Sequence, residues 1–414
     1  MKNAGLNKQK DTSKQSPDVL TEQPSSGLTE IILLFLVSRG VLTIVGVLSI
    51  ALMGRMTGMR LEWEHPPYIW LDIWGQWDTG WYLDIAKNWY AVAAPYKNYY
   101  NYVFFPLYPT LIKLLGAVIG NNFYAGLIIS NAALLAAAIL LYKLVELDHD
   151  REVALNSVKY MFIWPTSFIL SGVLSEALFL MLVVGCFYLA RKGKWLNVGI
   201  TGFFLSLTRV NGVCLGIPLF YEYMKEKNFR LKGISVNILA LALLPLGLLI
   251  FCVYNYYLTG DFLAFVHAQS AWGRHLGNPL MTLAYGIFGV AAKPIDTVQA
   301  CFTIFTLASL TIFYRRIPIS YLLFCLISIF LPLSSGLISM PRFTVVLFPV
   351  FILFAQLGKD KRVDTAFTII FSVLMGCFMI FWSVGAALIV KGVHLWKKSS
   401  SSCPHTMSPH AFQR

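Results

Sequence analysis

The chain has 414 residues, of which 57% are hydrophobic and 13% are charged. A soluble domain usually carries about 25% charged residues, and a soluble fold with so few would leave too much apolar surface in water. The net charge of +13 does not indicate nucleic-acid binding, because Lys and Arg lie mainly in the tails and in short loops between apolar runs. There they orient membrane helices and meet anionic lipid headgroups. Composition therefore predicts a protein of the lipid bilayer, with no nucleic-acid partner.

The two ends of the chain are polar. Residues 1–26 are rich in Lys, Ser, Gln and Pro and lack the apolar segment of a signal peptide, and residues 399–414 contain a serine run and two prolines. We expect both tails to be disordered, the first of them in the cytoplasm. Residues 27–398 then form a single transmembrane domain.

Apolar runs fill this domain, and several are shorter than the ~20 residues of a straight span. Basic clusters around Arg151, Arg191 and residues 225–232 flank the short runs. The positive-inside rule places all three clusters in the cytoplasm, so an even number of crossings separates them. Residues 160–190 and 196–221 are therefore interpreted as hairpins of two short helices each.

The hairpin bends fall near residues 171–176 and 209–212, on the extracytoplasmic side. Two long loops, residues 54–122 and 258–296, fall on the same side. The predicted fold is an all-α polytopic bundle of roughly 9 to 11 transmembrane helices. We expect amphipathic helices in the first loop, including an interfacial or half-inserted segment that opens at Phe104–Pro109 and ends at Gly116.

The first long loop combines acidic and aromatic residues. Asp72, Asp78 and Asp84 are spaced by six among several Trp and Tyr residues. Six residues turn a helix by 600°, so Asp78 and Asp84 do not share a helical face. A carboxylate among indoles is poorly hydrated, which favours a role as a base. The alternatives are an interfacial aromatic belt for the rings and a helix N-cap for Asp78.

Further polar residues interrupt the apolar sequence on the predicted extracytoplasmic side. A charge at the centre of a span costs roughly 2.5–3.5 kcal/mol, so each is a candidate functional residue, with snorkelling as the alternative. Arg39 lies in the cytoplasmic half of the first span, and we expect it to snorkel. The candidates are Glu176 at the first bend, Arg209 and Asn211 at the second, His267, Gln269 and Arg274 in the second long loop, and Arg342 at the outer end of its span.

A carboxylate together with several arginines at membrane depth indicates chemistry on a lipid phosphate, as one of two or three possible functions. A carboxylate activates a hydroxyl, and Arg residues hold a lipid phosphate through bidentate hydrogen bonds. The carboxylates lack a close D-x-D pattern, so we expect no metal. The scattered cysteines form no C-x-x-C pair and predict neither disulfides nor zinc.

A series of motifs extends over most of the chain, from about Ile31 to Leu357. They are Trp77-Asp78 with Trp81-Tyr82-Leu83-Asp84, Phe104-Phe105-Pro106-Leu107-Tyr108-Pro109, Trp164-Pro165-Thr166 leading to Ser175-Glu176-Ala177, Leu207-Thr208-Arg209-Val210-Asn211-Gly212, His267-Ala268-Gln269 with Trp272-Gly273-Arg274, and Pro341-Arg342-Phe343. In this order the motifs resemble the PIG-V family of GPI mannosyltransferase II enzymes, especially its bacterial members.

The resemblance implies a GT-C glycosyltransferase. Such an enzyme transfers a hexose, usually mannose, from a polyprenyl-phosphate donor to a lipid, glycan or protein acceptor outside the cytoplasm, with inversion and without a cofactor. By this resemblance Asp78 is the catalytic carboxylate. The membrane is the bacterial cell membrane, or the endoplasmic reticulum in a eukaryote. Substrate-binding roles are implied for Asp84, Glu176, Arg209, Asn211, His267, Gln269, Arg274 and Arg342.

Two positions depart from the family pattern. Gln76 stands where the family commonly has Arg before Trp-Asp, and Trp89 stands where it commonly has Gly. The first change removes a phosphate contact or an ion pair with Asp78. Two other functions remain open: a flippase or transporter for lipid-linked sugars, with charges along the whole depth of the bundle, and a non-catalytic subunit of a glycosyltransferase complex.

Overall fold

The structure is a computed structural model that describes residues 27–54, 68–92, 99–289 and 292–386. The tails predicted to be disordered lie outside these ranges, as do parts of the first long loop. The described elements are helices, joined by short 3-10 segments. They are α1 Gly27–Met53, α2 Ile69–Asp72, α3 Thr79–Asn88, α4 Leu107–Ile119, α5 Asn122–Val145, α6 Arg151–Ile163, α7 Glu176–Arg191, α8 Trp195–Ser206, α9 Asn211–Cys214, α10 Gly216–Glu226, α11 Leu243–Thr259, α12 Ala264–His267, α13 Pro279–Phe288, α14 Pro294–Ile312, α15 Ile319–Leu333, α16 Met340–Thr344, α17 Phe348–Leu357 and α18 Lys361–Ser383.

Membrane-spanning helices confirm the predicted fold class. Among the described residues, five helical segments are long and apolar enough to cross a bilayer, and further apolar helices are shorter. The protein is therefore an all-helical, multi-pass membrane protein, whereas the number of crossings stays a prediction. The five segments are Gly27–Met53, Asn122–Val145, Val236–Thr259, Pro294–Ile312 and Lys361–Ser383.

Both predicted hairpin bends coincide with breaks in helices. α6 ends at Ile163, just before Trp164-Pro165, because the residue before a proline disfavours helical backbone. Helical structure of the α type resumes only at Glu176. α8 ends at Ser206, and the chain becomes helical again at Asn211. Glu176 and Arg209 thus lie at interruptions of the helices.

Residues 164–175 are buried throughout, so their backbone polar groups need partners within the protein. Arg39 supplies several of these and does not snorkel as predicted. It is 7% exposed and donates to the carbonyl oxygens of Phe162 (2.7 Å) and Ser167 (3.0 Å) and to the hydroxyl of Ser171 (3.1 Å). The physical reason is that the carbonyl groups of this non-helical backbone accept hydrogen bonds from a guanidinium group, as they would from water. Arg39 therefore stabilises the segment that leads to Glu176.

Glycines bring neighbouring helices close together. A Cβ atom on Gly199 of α8 would overlap the backbone of Ala240, and one on Gly202 would overlap the side chain of Leu244. Small residues at such contacts allow the close van der Waals packing that holds helices together in lipid. α8 and α11 therefore pack directly against each other beside the second break.

Ion pairs join the helices at the far end of α7. Arg191 pairs with Asp148 (2.5 Å), and Lys359 pairs with Asp150 (2.8 Å). At 1.5 Å per residue, Arg191 lies about 22 Å along α7 from Glu176. Arg191, in a basic cluster predicted to be cytoplasmic, thus lies at one end of this helix and Glu176 lies at the other.

Candidate active site

Asp78 forms an ion pair far along the chain. It occupies the N-cap position of α3, yet its side chain makes no capping hydrogen bond. Its Oδ2 instead pairs with Nη1 of Arg342 in α16. Asp78 therefore occupies the predicted N-cap position, but its carboxylate pairs with Arg342 instead of capping α3.

Glu176 connects the same arginine to a second one. Its side chain is fully buried at the start of α7, and its Oε1 accepts hydrogen bonds from Nε of Arg342 and from Nη2 of Arg209 (2.8 Å). Four side chains from four separate segments therefore meet. We call Asp78, Glu176, Arg209 and Arg342 the charge cluster.

Arg274 lies beside the charge cluster on an aromatic ring. Its guanidinium carbon is 5.6 Å from the ring centre of Phe343, and that of Arg209 is 5.3 Å from the same centre. Hydrogen bonds to the Ser335 hydroxyl (3.1 Å) and the Ile338 carbonyl (2.8 Å) orient it. Burial, with Arg342 nearby, lowers the pKa of Arg274 to about 10, so it remains a cation at neutral pH.

These groups leave positive charge uncompensated. Three guanidinium groups face two carboxylates, and no carboxylate pairs with Arg274 in the described ranges. Nη1 of Arg209 and Oε2 of Glu176 are buried and have no hydrogen-bond partner among the described residues. Buried polar groups are normally paired, and a net charge of +1 favours an anion. The arrangement therefore suits a phosphate.

Strained backbone precedes both partners of the central ion pair. Trp77, next to Asp78, has φ of 57°, and Ser339, three residues before Arg342, has φ of 64°. Residues other than glycine rarely adopt this left-handed conformation, which costs roughly 1–3 kcal/mol and occurs often at functional sites. The surrounding contacts hold Asp78 and Arg342 in place against this cost.

Side-chain and backbone hydrogen bonds fix the loop of Asp78 against the break before α7. The Tyr82 and Ser175 hydroxyls lie 2.9 Å apart, and the Val173 N–H donates to the carbonyl of Trp74 (3.0 Å). Sequence reasoning did not single out Tyr82, Ser175 or Phe343, although each stands in a quoted motif next to or near a charged candidate. That adjacency was the available signal.

Four predicted site residues lie away from the charge cluster. Asp84 accepts hydrogen bonds from Asn88 (2.8 Å) and Asn101 (3.1 Å). His267 is exposed and pairs with Asp261. The other two are Asn211, which is buried at the start of α9, and Gln269, which is partly buried in a 3-10 turn; neither has a side-chain bond to the cluster among the contacts of the described residues.

The two departures from the family pattern have structural consequences. Gln76 is 5% exposed, and its amide nitrogen has no hydrogen-bond partner among the described residues, while Arg342 supplies the ion pair to Asp78. Trp89 has φ of 66°, a conformation that a glycine adopts without strain. The common family residue at this position therefore fits the backbone better than Trp89 does.

No family profile matches this chain, and no curated protein matches it. The resemblance to PIG-V therefore depends on its motifs and stays a prediction. Among solved structures, the chain is similar to the oligosaccharyltransferase of Archaeoglobus fulgidus. The apo form has a TM-score of 0.43 at 12% identity, with 86% of this chain and 56% of that chain covered.

A second crystal structure, with a tethered acceptor peptide, has a TM-score of 0.41 at 13% identity, covering 85% of this chain and 55% of that one. A complex with zinc and sulfate has 0.39 at 15%, covering 85% and 53%. This chain thus spans little more than half the length of these proteins. The identity is too low to transfer residue roles to this chain.

Proposed function

We propose that the protein is a glycosyltransferase that moves a hexose, with mannose the first candidate, from a polyprenyl phosphate to a hydroxyl acceptor. The observation that carries the proposal is the charge cluster, in which Asp78 pairs with Arg342 and Glu176 bonds to both Arg342 and Arg209, with Arg274 beside them on the ring of Phe343. A carboxylate base beside an excess of guanidinium groups suits a reaction that deprotonates a hydroxyl and releases a phosphate. The motif resemblance supports the same chemistry.

The donor phosphate is assigned to Arg209 and Arg274. Both guanidinium groups lie against Phe343, and Arg209 retains a buried Nη1 donor without a partner. Planar, permanently charged guanidinium groups bind phosphate oxygens in pairs. Phe343 holds them side by side by cation–π contact, and the apolar helices around them accommodate the polyprenyl tail.

Asp78 is assigned as the general base. In the structure the carboxylate of Asp78 is held in an ion pair with Arg342. A phosphate that binds near Arg342 competes for this guanidinium group, while Glu176 keeps its own contact with it. Donor binding therefore frees Asp78, so we expect donor to bind before acceptor.

The reaction then balances as one displacement. Asp78 takes the proton of the acceptor hydroxyl, whose oxygen forms a bond to the anomeric carbon, and the bond from that carbon to the phosphate oxygen breaks. The bonding electrons leave with the polyprenyl phosphate, and the arginines stabilise its charge. Attack opposite the leaving group inverts the anomeric centre.

Reconstituted protein tests the proposal. Wild type in liposomes should transfer labelled mannose from polyprenyl-phosphate mannose into total membrane glycolipids. Arg209→Met and Arg274→Met should weaken binding of polyprenyl phosphate. Movement of the donor across the bilayer without transfer would instead support the flippase alternative, and absence of both activities unless a partner protein is added would support a non-catalytic subunit.

The site is proposed to face the extracytoplasmic side of a bacterial cell membrane. In support, Arg191, which lies in a basic cluster predicted to be cytoplasmic, pairs with Asp148 at the end of α7 opposite Glu176. Labelling of a cysteine introduced at Ser270, in the second long loop, by an impermeant reagent would test this sidedness in whole cells.

A further inference from the structure

A cleft of about 560 Å³ lies between the end of α11, α12 and the segment before α4, and its described lining includes no residue of the charge cluster. It contains His267, for which the motif resemblance implies a substrate-binding role and which lies outside the charge cluster. Its polar and aromatic lining consists of Tyr100, Tyr102, Thr259, Asp261, His267 and Ser270.

Aromatic surface forms one part of the lining. The rings of Tyr100 and Tyr102 are stacked, with centres 4.9 Å apart and planes 25° apart. Burial raises the pKa of Tyr102 to about 12, so its hydroxyl stays protonated. An aromatic face carries a negative quadrupole, which attracts the weakly positive C–H groups on one face of a sugar ring.

Hydrogen-bonding groups form another part. Asp261 Oδ2 lies 2.6 Å from Nδ1 of His267, and its Oδ1 accepts from the Leu263 N–H (2.9 Å). The hydrogen bond with His267 lowers the pKa of Asp261, so the carboxylate is an acceptor at neutral pH. His267 and Ser270 add groups that donate or accept. Neighbouring donors and acceptors of this kind suit adjacent hydroxyls of a sugar.

Charge distinguishes this cleft from the site of the arginines. Neither Lys nor Arg is among its described lining residues, so it lacks the groups that hold a phosphate. Its lining combines hydroxyl, carboxylate and imidazole groups with aromatic and alanine surface, which suits a ligand that has both hydrogen-bonding groups and C–H faces better than a lipid tail. An uncharged, polyhydroxylated ligand fits both features.

Two contacts connect the cleft to α3, the helix that starts beside Asp78. Asn101, between the two tyrosines, donates to Asp84 of α3 (3.1 Å). Trp272 follows the lining residue Ala271 and packs against Trp81 of α3, with ring centres 5.4 Å apart. The cleft is therefore connected to α3 through Asn101 and Trp272.

We propose that this cleft binds a neutral sugar of the acceptor, separately from the donor phosphate at the arginines. That the sugar belongs to the acceptor rests on the proposed transferase function, whereas the sugar-binding site itself does not depend on that function. A sugar held here places the rest of the acceptor toward Asp78.

The test uses the full chain in lipid nanodiscs and saturation-transfer NMR. The probes are the methyl α-glycosides of mannose, glucose, galactose and N-acetylglucosamine. We expect at least one to bind, and Tyr100→Ala and His267→Gln to weaken it by about threefold to tenfold, as expected for loss of one aromatic or hydrogen-bonding contact. Tyr257→Ala and His275→Gln are matched controls at exposed positions outside the described lining.

The outcomes separate the two proposals. Failure of all four probes to bind wild type overturns the cleft proposal, as does equal weakening by cleft and control variants. Loss of probe binding in Asp78→Asn also overturns it, because the probe would then occupy the transfer site. Sugar binding by a protein that neither binds polyprenyl phosphate nor transfers mannose would reject the transferase and keep the cleft. His267→Gln changes an exposed side chain, so it stays informative if Tyr100→Ala does not fold.

Discussion

Substitution of Asp78 by Asn separates the two roles that we assign to the central ion pair. The change keeps the shape of the side chain and removes its charge, so Arg342 retains only Glu176 as a carboxylate partner. Transfer should decrease, because the acceptor hydroxyl loses its base. Binding of polyprenyl phosphate should increase, because the phosphate no longer competes with a carboxylate for Arg342.

Both effects have an expected size. Loss of a positioned general base typically lowers a rate by about 10²–10⁴. The substitution raises the net charge of Asp78, Glu176 and the three arginines by one. A unit charge about 6 Å from the phosphate contributes at most about 3 kcal/mol at an effective dielectric constant near 20. Since Arg342 stays paired with Glu176, we expect roughly half of this, or about a tenfold gain in affinity.

Two measurements check the prediction. Transfer is followed with labelled polyprenyl-phosphate mannose in liposomes, and affinity is measured by titration of polyprenyl phosphate into the protein in nanodiscs. Asp84→Asn is the matched control, because Asp84 lies on the same helix outside the charge cluster and bonds to Asn88 and Asn101. It should leave both quantities unchanged.

Undiminished transfer by Asp78→Asn would refute its assignment as the base. Transfer lost with unchanged or weaker phosphate binding would refute the competition for Arg342 and leave the base assignment intact. Equal effects of Asp84→Asn would show that the effects do not depend on the ion pair with Arg342. That result would reject the charge cluster as a distinct site.

Three further predictions concern stability and are checked by thermal unfolding in detergent. Gly199→Ala should destabilise the protein, because the new Cβ atom overlaps the backbone of Ala240. Gly376 faces open space, so Gly376→Ala should be neutral or stabilise by up to about 1 kcal/mol through helix propensity. Equal effects of the two substitutions would contradict this packing. Arg39→Met should cost about 2–4 kcal/mol by leaving buried carbonyl groups unpaired, and an unchanged melting temperature would indicate that the side chain snorkels after all. A hydrogen bond from Arg191 lowers the pKa of Asp148, so this pair stabilises above about pH 4 and loses its effect as the pH falls through the lowered pKa. Asp148→Asn should therefore cost at most about 1 kcal/mol at pH 7 and nothing in acid; a cost that does not change with pH would contradict the ion pair.

Local patterns in the sequence were sufficient for the fold class. Apolar runs predict membrane helices because each span buries its own backbone hydrogen bonds. The alternation of basic clusters predicted that helices break near residues 171–176 and 209–212, and the structure has breaks at 164–175 and 207–210. The predicted topology also placed Glu176, Arg209 and Arg342 on the same side of the membrane as Asp78, because the side of each residue follows from counting crossings along the chain.

Only the tertiary structure decided how these groups pair. Asp78 and Arg342 are 264 residues apart, and Arg342 and Glu176 are 166 apart. No periodicity extends over such separations, so the sequence could not distinguish Asp78 from Asp84 as the partner of an arginine. For the same reason it could not show that Arg39 binds buried carbonyl groups or that His267 lies in a separate cleft.

The sequence by itself thus determined that this is a multi-pass membrane protein with charges concentrated where its helices break. The tertiary structure determined that Arg342 lies between Asp78 and Glu176 and that Arg209 and Arg274 share the ring of Phe343. The physical reason is that helix formation depends on neighbours along the chain, whereas the pairing of buried charges depends on which helices pack together.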